Sequence, residues 1–178
     1  MKKHIIITML ILTSLGVKAQ ETKIQWMEFS DAIEACKQHP KKIFIDVYTD
    51  WCGWCKRMDK ETFSNEVIAR YMNEHYYAVK FNAERMDTIA FAGYTFVNTP
   101  RTDGRRGTHQ LAAALLNGEM SYPSYVVMNE EMKVIQAIHG YQPANDFEPM
   151  LHYFAEDAFK TTEWQKFMET FKSEFSEL

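Results

Sequence analysis

The stretch Trp51-Cys52-Gly53-Trp54-Cys55 lies between the apolar run Ile43-Phe44-Ile45-Asp46-Val47-Tyr48 and the helix-like Lys56-Arg57-Met58-Asp59-Lys60-Glu61, and its reading decides the fold. The run before it is β-branched and apolar without clean alternation, as expected of a central strand buried on both faces. Two thiols separated by two residues at a strand-to-helix junction can close a small disulfide. The unpaired amides of the helix's first turn favour a thiolate on the first sulfur. The chemistry this implies is thiol-disulfide exchange. Cys52 is the candidate nucleophile, because it falls at the helix N-cap and is the cysteine nearer the expected surface. Cys55, one turn further in and more buried, is the candidate resolving thiol. Lys56 and Arg57 favour the thiolate, and Asp50 opposes it. Two other readings of the pair stay open: a plain stabilising disulfide, and half of a zinc site. Zinc needs two more ligands with a matching spacing, which the scattered His75, His109, His139 and His152 do not supply. Covalent haem attachment is excluded, because Lys56 and not histidine follows Cys55.

Upstream, Ile24 to Phe29 is expected as a short strand, and Ser30-Asp31 followed by Glu34 reads as a capping-box helix start, with the helix running to about His39 and stopped by Pro40. Downstream, a helix from Cys52 to about Thr62 and a second helical stretch from about Asn65 to His75 are expected as one bent or interrupted element. Tyr77 to Asn82 is the next strand. Ile89 to Val97 reads as a small hairpin, and Asn98 to Gly107 as a polar connection. A helix over His109–Leu116 is then capped by Thr108 and stopped by Asn117-Gly118. Tyr125 to Met128 pairs through the Asn129-Glu130-Glu131 turn with Val134 to His139. Helices over about Asn145–Phe159 and Thr162–Phe175, with apolar residues at helical spacing, close the chain. The order is βαβαβ, then ββα with an extra C-terminal helix, an α/β arrangement without internal repeats.

Tyr48-Thr49-Asp50-Trp51-Cys52-Gly53-Trp54-Cys55-Lys56, with Tyr122-Pro123 downstream, resembles the thioredoxin-like superfamily, and more narrowly secreted bacterial thioredoxin-like proteins with a CGWC site. The resemblance covers about Lys23 to Phe154. It implies a thioredoxin-like fold with a central mixed β-sheet flanked by helices. Two departures stand out: an insert over about 83–120 before the cis-proline loop, and a C-terminal helical extension over about 156–178.

Asp46 sits inside the expected buried strand, where an isolated carboxylate costs several kcal/mol unless paired or neutral. By the resemblance it matches the buried aspartate that takes, through water, the proton of the resolving thiol, and Lys80 matches its lysine partner. An outward-facing Asp46 near the strand end is the competing reading. Pro123 matches the family's cis-proline, whose loop lies beside the dithiol, and Tyr122 offers backbone contacts to an extended substrate. Gly53 permits close approach of a partner's backbone, while Trp51 and Trp54 complete the substrate-binding set. Trp54 stands where many thioredoxins carry proline. Cys36, at helical spacing with Ala32 and Ile33, reads as a small buried hydrophobe, and Trp26, Met27 and Phe29 read as core. Arg101, Arg105 and Arg106 read as a solvated loop rather than a contact for an acidic partner.

Met1-Lys2-Lys3-His4, the apolar Ile5 to Val17 and the small residues of Val17-Lys18-Ala19 make a secretory signal peptide cleaved after Ala19. The apolar stretch is well short of the roughly 20 residues that cross a bilayer as a helix. The expected organisation is thus a signal peptide over 1–19 and one domain over 20–178, periplasmic or secreted, with no stable membrane insertion. Three cysteines do not make a disulfide-stapled scaffold. The formal charge of −4 becomes more negative once Lys2, Lys3 and Lys18 are removed, and this offers no general case for nucleic-acid binding. Neither metal nor other cofactor is implied.

The function these readings imply is exchange of disulfides with protein substrates in the cell envelope. The Asp46/Lys80 match leans toward a reductant or electron relay recharged by an upstream envelope reductase. Potentials in this fold span about −270 to −120 mV, roughly 7 kcal/mol, so the motif alone does not choose a direction. An oxidase or isomerase of secreted proteins and a redox-inactive binding module are the alternatives.

Overall fold

The structure, a computed structural model, describes residues 22–99, 104 and 106–177. The expected signal peptide, Arg101 and Arg105 lie outside the described residues. A five-stranded mixed sheet has the order β1-β3-β2-β6-β7, formed by β1 (Trp26–Met27), β2 (Lys42–Tyr48), β3 (Tyr76–Asn82), β6 (Ser124–Met128) and β7 (Val134–His139). β2 runs parallel to β3 and antiparallel to β6, and is buried from Lys42 to Val47. Its alternation explains the unbroken apolar run. Ile43, Ile45 and Val47 pack on one face with Phe29, Ile33, Phe81 and Leu111, while Phe44 packs on the other with Met58, Tyr125, Phe147 and Leu151. A strand covered on both sides has no polar face to alternate with.

α1 (Phe29–Gln38) and α4 (Gln110–Leu115) cover the first face; α2 (Gly53–Glu61), α3 (Glu66–His75) and α5 (Ala144–Ala155) cover the second. A separate hairpin of β4 (Ile89–Phe91) and β5 (Tyr94–Phe96) lies in the stretch before α4. α6 (Trp164–Thr170) and a 3-10 turn over Glu174–Glu177 end the described chain. Among the described residues no helix is long and apolar enough to cross a membrane.

Several boundaries differ from the sequence reading, each for a local reason. β1 is only Trp26–Met27, because the chain turns into α1 at Phe29, whose ring packs edge-on against Phe81 and Phe91. Glu28 is therefore the N-cap, without a side-chain cap bond, and the capping box expected from Ser30 and Glu34 does not form. α2 and α3 are two helices, not one bent element. Thr62 ends the first and donates its hydroxyl to Gln142 O at 2.7 Å, and Asn65 Oδ1 caps the second by accepting from Val67 N at 2.9 Å. α5 stops at Ala155 rather than Phe159, since Asp157 takes the left-handed region at φ 59°. There Asp157 lies 2.9 Å from the buried Lys42 ammonium, tying the end of α5 to the start of β2. The last helix covers Trp164–Thr170, shorter than the expected 162–175, because Phe171 is already extended. α4 is capped by His109, not Thr108.

Candidate active site

The β2–β3 and β2–β6 registers assemble the site. Asp46 pairs across to Lys80, and Val47 pairs with Ser124, so the Tyr122-Pro123 peptide, which is cis, enters the sheet beside the end of β2 from which the dithiol loop departs. The Trp51 and Tyr122 rings meet edge-to-face at 6.0 Å, joining those two segments.

Cys52 and Cys55 form a disulfide. Cys52 is the N-cap of α2, and the Cys55 amide donates to Cys52 Sγ at 3.0 Å. That amide is one of the first-turn N–H groups with no intrahelical partner, so it and the helix dipole stabilise negative charge on this sulfur once the bond opens. One expectation fails in the oxidised protein. Cys52 is not the clearly more exposed cysteine, because the two residues are 4 % and 3 % exposed. The N-cap amide, rather than exposure, distinguishes them. Gly53, exposed at the start of α2, has open space where a Cβ would stand.

Asp46 is 1 % exposed and on the Phe44 side of β2, facing the layer that contains α2. The outward-facing alternative is thereby removed. Its Oδ2 lies 2.6 Å from Lys80 Nζ, while Oδ1 has no hydrogen-bond partner among the described residues. Burial pushes the carboxyl up to about 6, against the pull of the Lys80 charge; Asp59 adds to the rise. Lys80 also pairs with Asp59 of α2, and its ammonium sits about 5 Å over the rings of Trp26, Tyr48 and Phe63. Burial works against the Lys80 charge, yet the two carboxylates hold its pKa above the ordinary lysine value. Asp59 went unread as part of the site, although its position one helical turn after Cys55 places it on the helix beneath the dithiol.

The rim is aromatic. Trp51 is 62 % exposed and donates its indole N–H to Glu84 Oε1 at 2.9 Å; Glu84 Oε2 in turn accepts from Arg106 at 3.1 Å. Trp54, 54 % exposed, packs against Tyr141 and the Arg57 guanidinium. Arg57 is engaged by Glu61 at 2.9 Å and Asp50 accepts from Asn82 at 3.1 Å, so two of the three charges expected to act on the thiolate have other partners. Glu84 and Tyr141 were not singled out from sequence, since isolated residues in a loop carry no spacing signal. Arg106 is exposed, with its ion pair made to Glu84. Cys36, the free cysteine, is buried as expected, its thiol donating to Lys41 O at 3.2 Å.

A mixed sheet with helices on both faces, a dithiol at the end of its central strand and a cis-proline beside it together define a thioredoxin-fold protein with a CxxC disulfide. Residues 14–175 match the family model described as "Thioredox_DsbH: Protein of unknown function, DUF255", and the chain belongs to that family. Among curated proteins, it is 30% identical over 82 residues to spermatogenesis-associated protein 20 of Mus musculus, covering 46% of this chain and 10% of that protein. It is 26% identical over 150 residues to an uncharacterized protein of Caenorhabditis elegans, covering 84% and 18%. The chain thus spans less than a fifth of the length of these relatives. Among solved structures, "DsbH Oxidoreductase" superposes with a TM-score of 0.54 at 17% identity, over 75% of this chain and 85% of that one. A thioredoxin-fold protein from Helicobacter pylori gives 0.55 at 17%, over 73% and 79%. A thioredoxin from Thermus thermophilus gives 0.54 at 12%, over 74% and 87%. At these identities the likeness establishes the fold.

Proposed function

We propose that this protein is a thiol-disulfide oxidoreductase that reduces protein disulfides in the cell envelope, either as the terminal reductant or as an electron relay. The observation that carries the reading is the Cys55 N–H to Cys52 Sγ contact at the head of α2, with the buried Asp46–Lys80 pair on the neighbouring strands. In the reduced protein the Cys52 thiolate attacks a substrate disulfide, forming a mixed disulfide and releasing one substrate thiolate. Asp46 receives the Cys55 proton, directly or through water. The Cys55 thiolate then attacks Cys52 Sγ, expels the second substrate thiolate and restores the Cys52–Cys55 bond. Two electrons pass from the dithiol to the substrate, and an upstream dithiol reductase returns them.

Trp51, Gly53, Trp54, Tyr122 and Pro123 form the surface that receives the substrate segment. Open space at Gly53 and the exposed indoles suit an extended polypeptide. The insert over 83–120 supplies Glu84 and Arg106 beside Trp51 and so helps select the partner. The leader-like sequence before Gln20 supports an envelope location.

The test is capture. Cys55→Ser, expressed with its leader, should accumulate mixed disulfides through Cys52 to client proteins, and Cys52→Ser should not. With Cys55→Ser reduced in vitro, alkylation of Cys52 should show a pH midpoint below the ordinary thiol value of about 8.5. A midpoint near 8.5, together with no captured client, would refute the proposal. A redox titration of the wild-type pair then sets the direction.

A further inference from the structure

The C-terminal end of the described chain folds back on α5 through a cluster far in sequence from the dithiol. Glu148, His152 and Glu174 each place one ligand-type atom within 4.8 Å of the others. Glu148 is 1 % exposed; its carboxylate accepts from the Ser173 hydroxyl and, at 2.8 Å, from the Glu174 amide, and no ion pair is formed by it among the described residues. A buried carboxylate without a cation is unusual, because its desolvation is not offset by an opposite charge. His152 adds an independent observation. Its Nδ1 lies 2.7 Å from Glu156 Oε1, whereas Nε2 is fully buried and has no hydrogen-bond partner among the described residues.

The Glu156 carboxylate places a proton on Nδ1. In the neutral ring Nε2 then carries a lone pair, in a cluster whose other members are carboxylates. That lone pair and the Glu148 and Glu174 carboxylates together present a set of donor atoms that one cation can bridge. A carboxylate holding Nδ1–H while Nε2 is presented to the centre is the outer arrangement typical of a metal-ligating histidine. The ring is held in place by stacking on Tyr71 at 3.8 Å and by the edge of Phe171 at 5.0 Å. Glu174 also pairs with Arg70 through Oε2, which leaves Oε1 for a second partner.

We propose that Glu148, His152 and Glu174 bind a divalent transition-metal ion, zinc foremost, which clamps the C-terminal segment to α5. One imidazole and two carboxylates suit zinc, and the three protein ligands leave a fourth position for water. Ligand atoms around a tetrahedral zinc stand about 3.3 Å apart, so the observed spacing needs only side-chain adjustment. Glu156 acts as the positioning residue for His152.

The experiment is a zinc sulfate titration of the full-length, fully oxidised protein, in which the closed Cys52–Cys55 disulfide offers no thiolate to the metal. Calorimetry should give one saturable site with a Kd below about 10 μM. His152→Gln should abolish it, and Glu156→Gln should weaken it by roughly 10–100-fold. The exposed Glu174→Gln gives a third arm should Glu148 variants fail to fold, and the far-ultraviolet circular dichroism of each variant is checked against wild type. No saturable binding below about 100 μM, or binding unchanged in His152→Gln, overturns the proposal.

Discussion

Lys80 Nζ stands 2.6 Å from Asp46 Oδ2, and the same ammonium is shared with Asp59 of the dithiol helix. Half-neutralised and fully buried, Asp46 keeps its proton to about pH 6 in the folded chain and gives it up near the ordinary value of about 4 when unfolded. Below about pH 4 both states hold the proton. Between about 4 and 6 only the folded state does, so stability falls as pH rises through that window and is flat above it. Proton linkage sets the loss at roughly 3 kcal/mol. Urea denaturation of the oxidised wild type from pH 4 to 7 should show this decline, and Asp46→Asn should lack it. In the reduced protein the resolving step should quicken as pH rises through about 6. Asp59→Asn, by removing a charge that raises Asp46, should move that inflection lower. An inflection that survives in Asp46→Asn would exclude Asp46 as the proton acceptor.

The second prediction concerns the rim. Trp51, packed edge-on against Tyr122, also donates a charge-assisted bond to Glu84, itself paired with Arg106. Such a bond contributes roughly 1.5–3 kcal/mol when well formed and less at an exposed site. Glu84→Gln keeps an acceptor and should lower the rate with a protein disulfide about two- to threefold; Glu84→Ala should lower it about tenfold, the equivalent of about 1.4 kcal/mol. Turnover of a small aromatic disulfide, which does not span the rim, should change less. Equal losses with both substrates would show that Glu84 acts on the sulfur chemistry and not on the docking surface.

How much of this was legible before the structure depends on whether a residue's role is local. Cys52, Cys55 and the end of β2 were readable because a strand, a dithiol and a helix follow one another without a gap, and Asp46 was conspicuous as a carboxylate in an apolar run. The pairing of Asp46 with Lys80 rested on family resemblance, since a parallel crossover sets that register through elements far apart in sequence. Asp59 was passed over because its partner Lys80 lies on a different element, and Glu84 because an isolated loop residue carries no spacing signal. Helix ends were misread where tertiary contacts overrode local signals. Phe29 enters α1 to reach Phe81 and Phe91, and Asp157 bends away to reach Lys42. The cap of α4 was misplaced by one residue because threonine is an ordinary cap and histidine is not.

That histidine supports the last prediction. His109 Nδ1 accepts from the Leu111 amide at 3.2 Å, so Nε2 bears the proton and donates it to Asp87 O at 3.1 Å, while the ring packs edge-on against Phe81. The residue is fully buried, and its own amide donates to Ala83 O at 2.7 Å, which moors the start of α4 to the end of β3. Both ring nitrogens are used in the neutral form, and burial, opposed by the Asp87 carbonyl, lowers the pKa of the imidazole. The folded state therefore resists protonation. Its stabilising effect is complete above the unfolded histidine value of about 6.5 and is lost as pH falls below it, because the unfolded chain takes up the proton first. His109→Ala should cost about 2–3 kcal/mol at pH 7.5, from the lost cap, the bond to Asp87 and the packing on Phe81. His109→Asn restores an N-cap acceptor and should recover part of that loss while removing the pH dependence. Urea midpoints of the three proteins at pH 5.5 and 7.5 measure both effects. Equal midpoints for Ala and Asn at pH 7.5 would mean that the cap bond itself contributes nothing to α4.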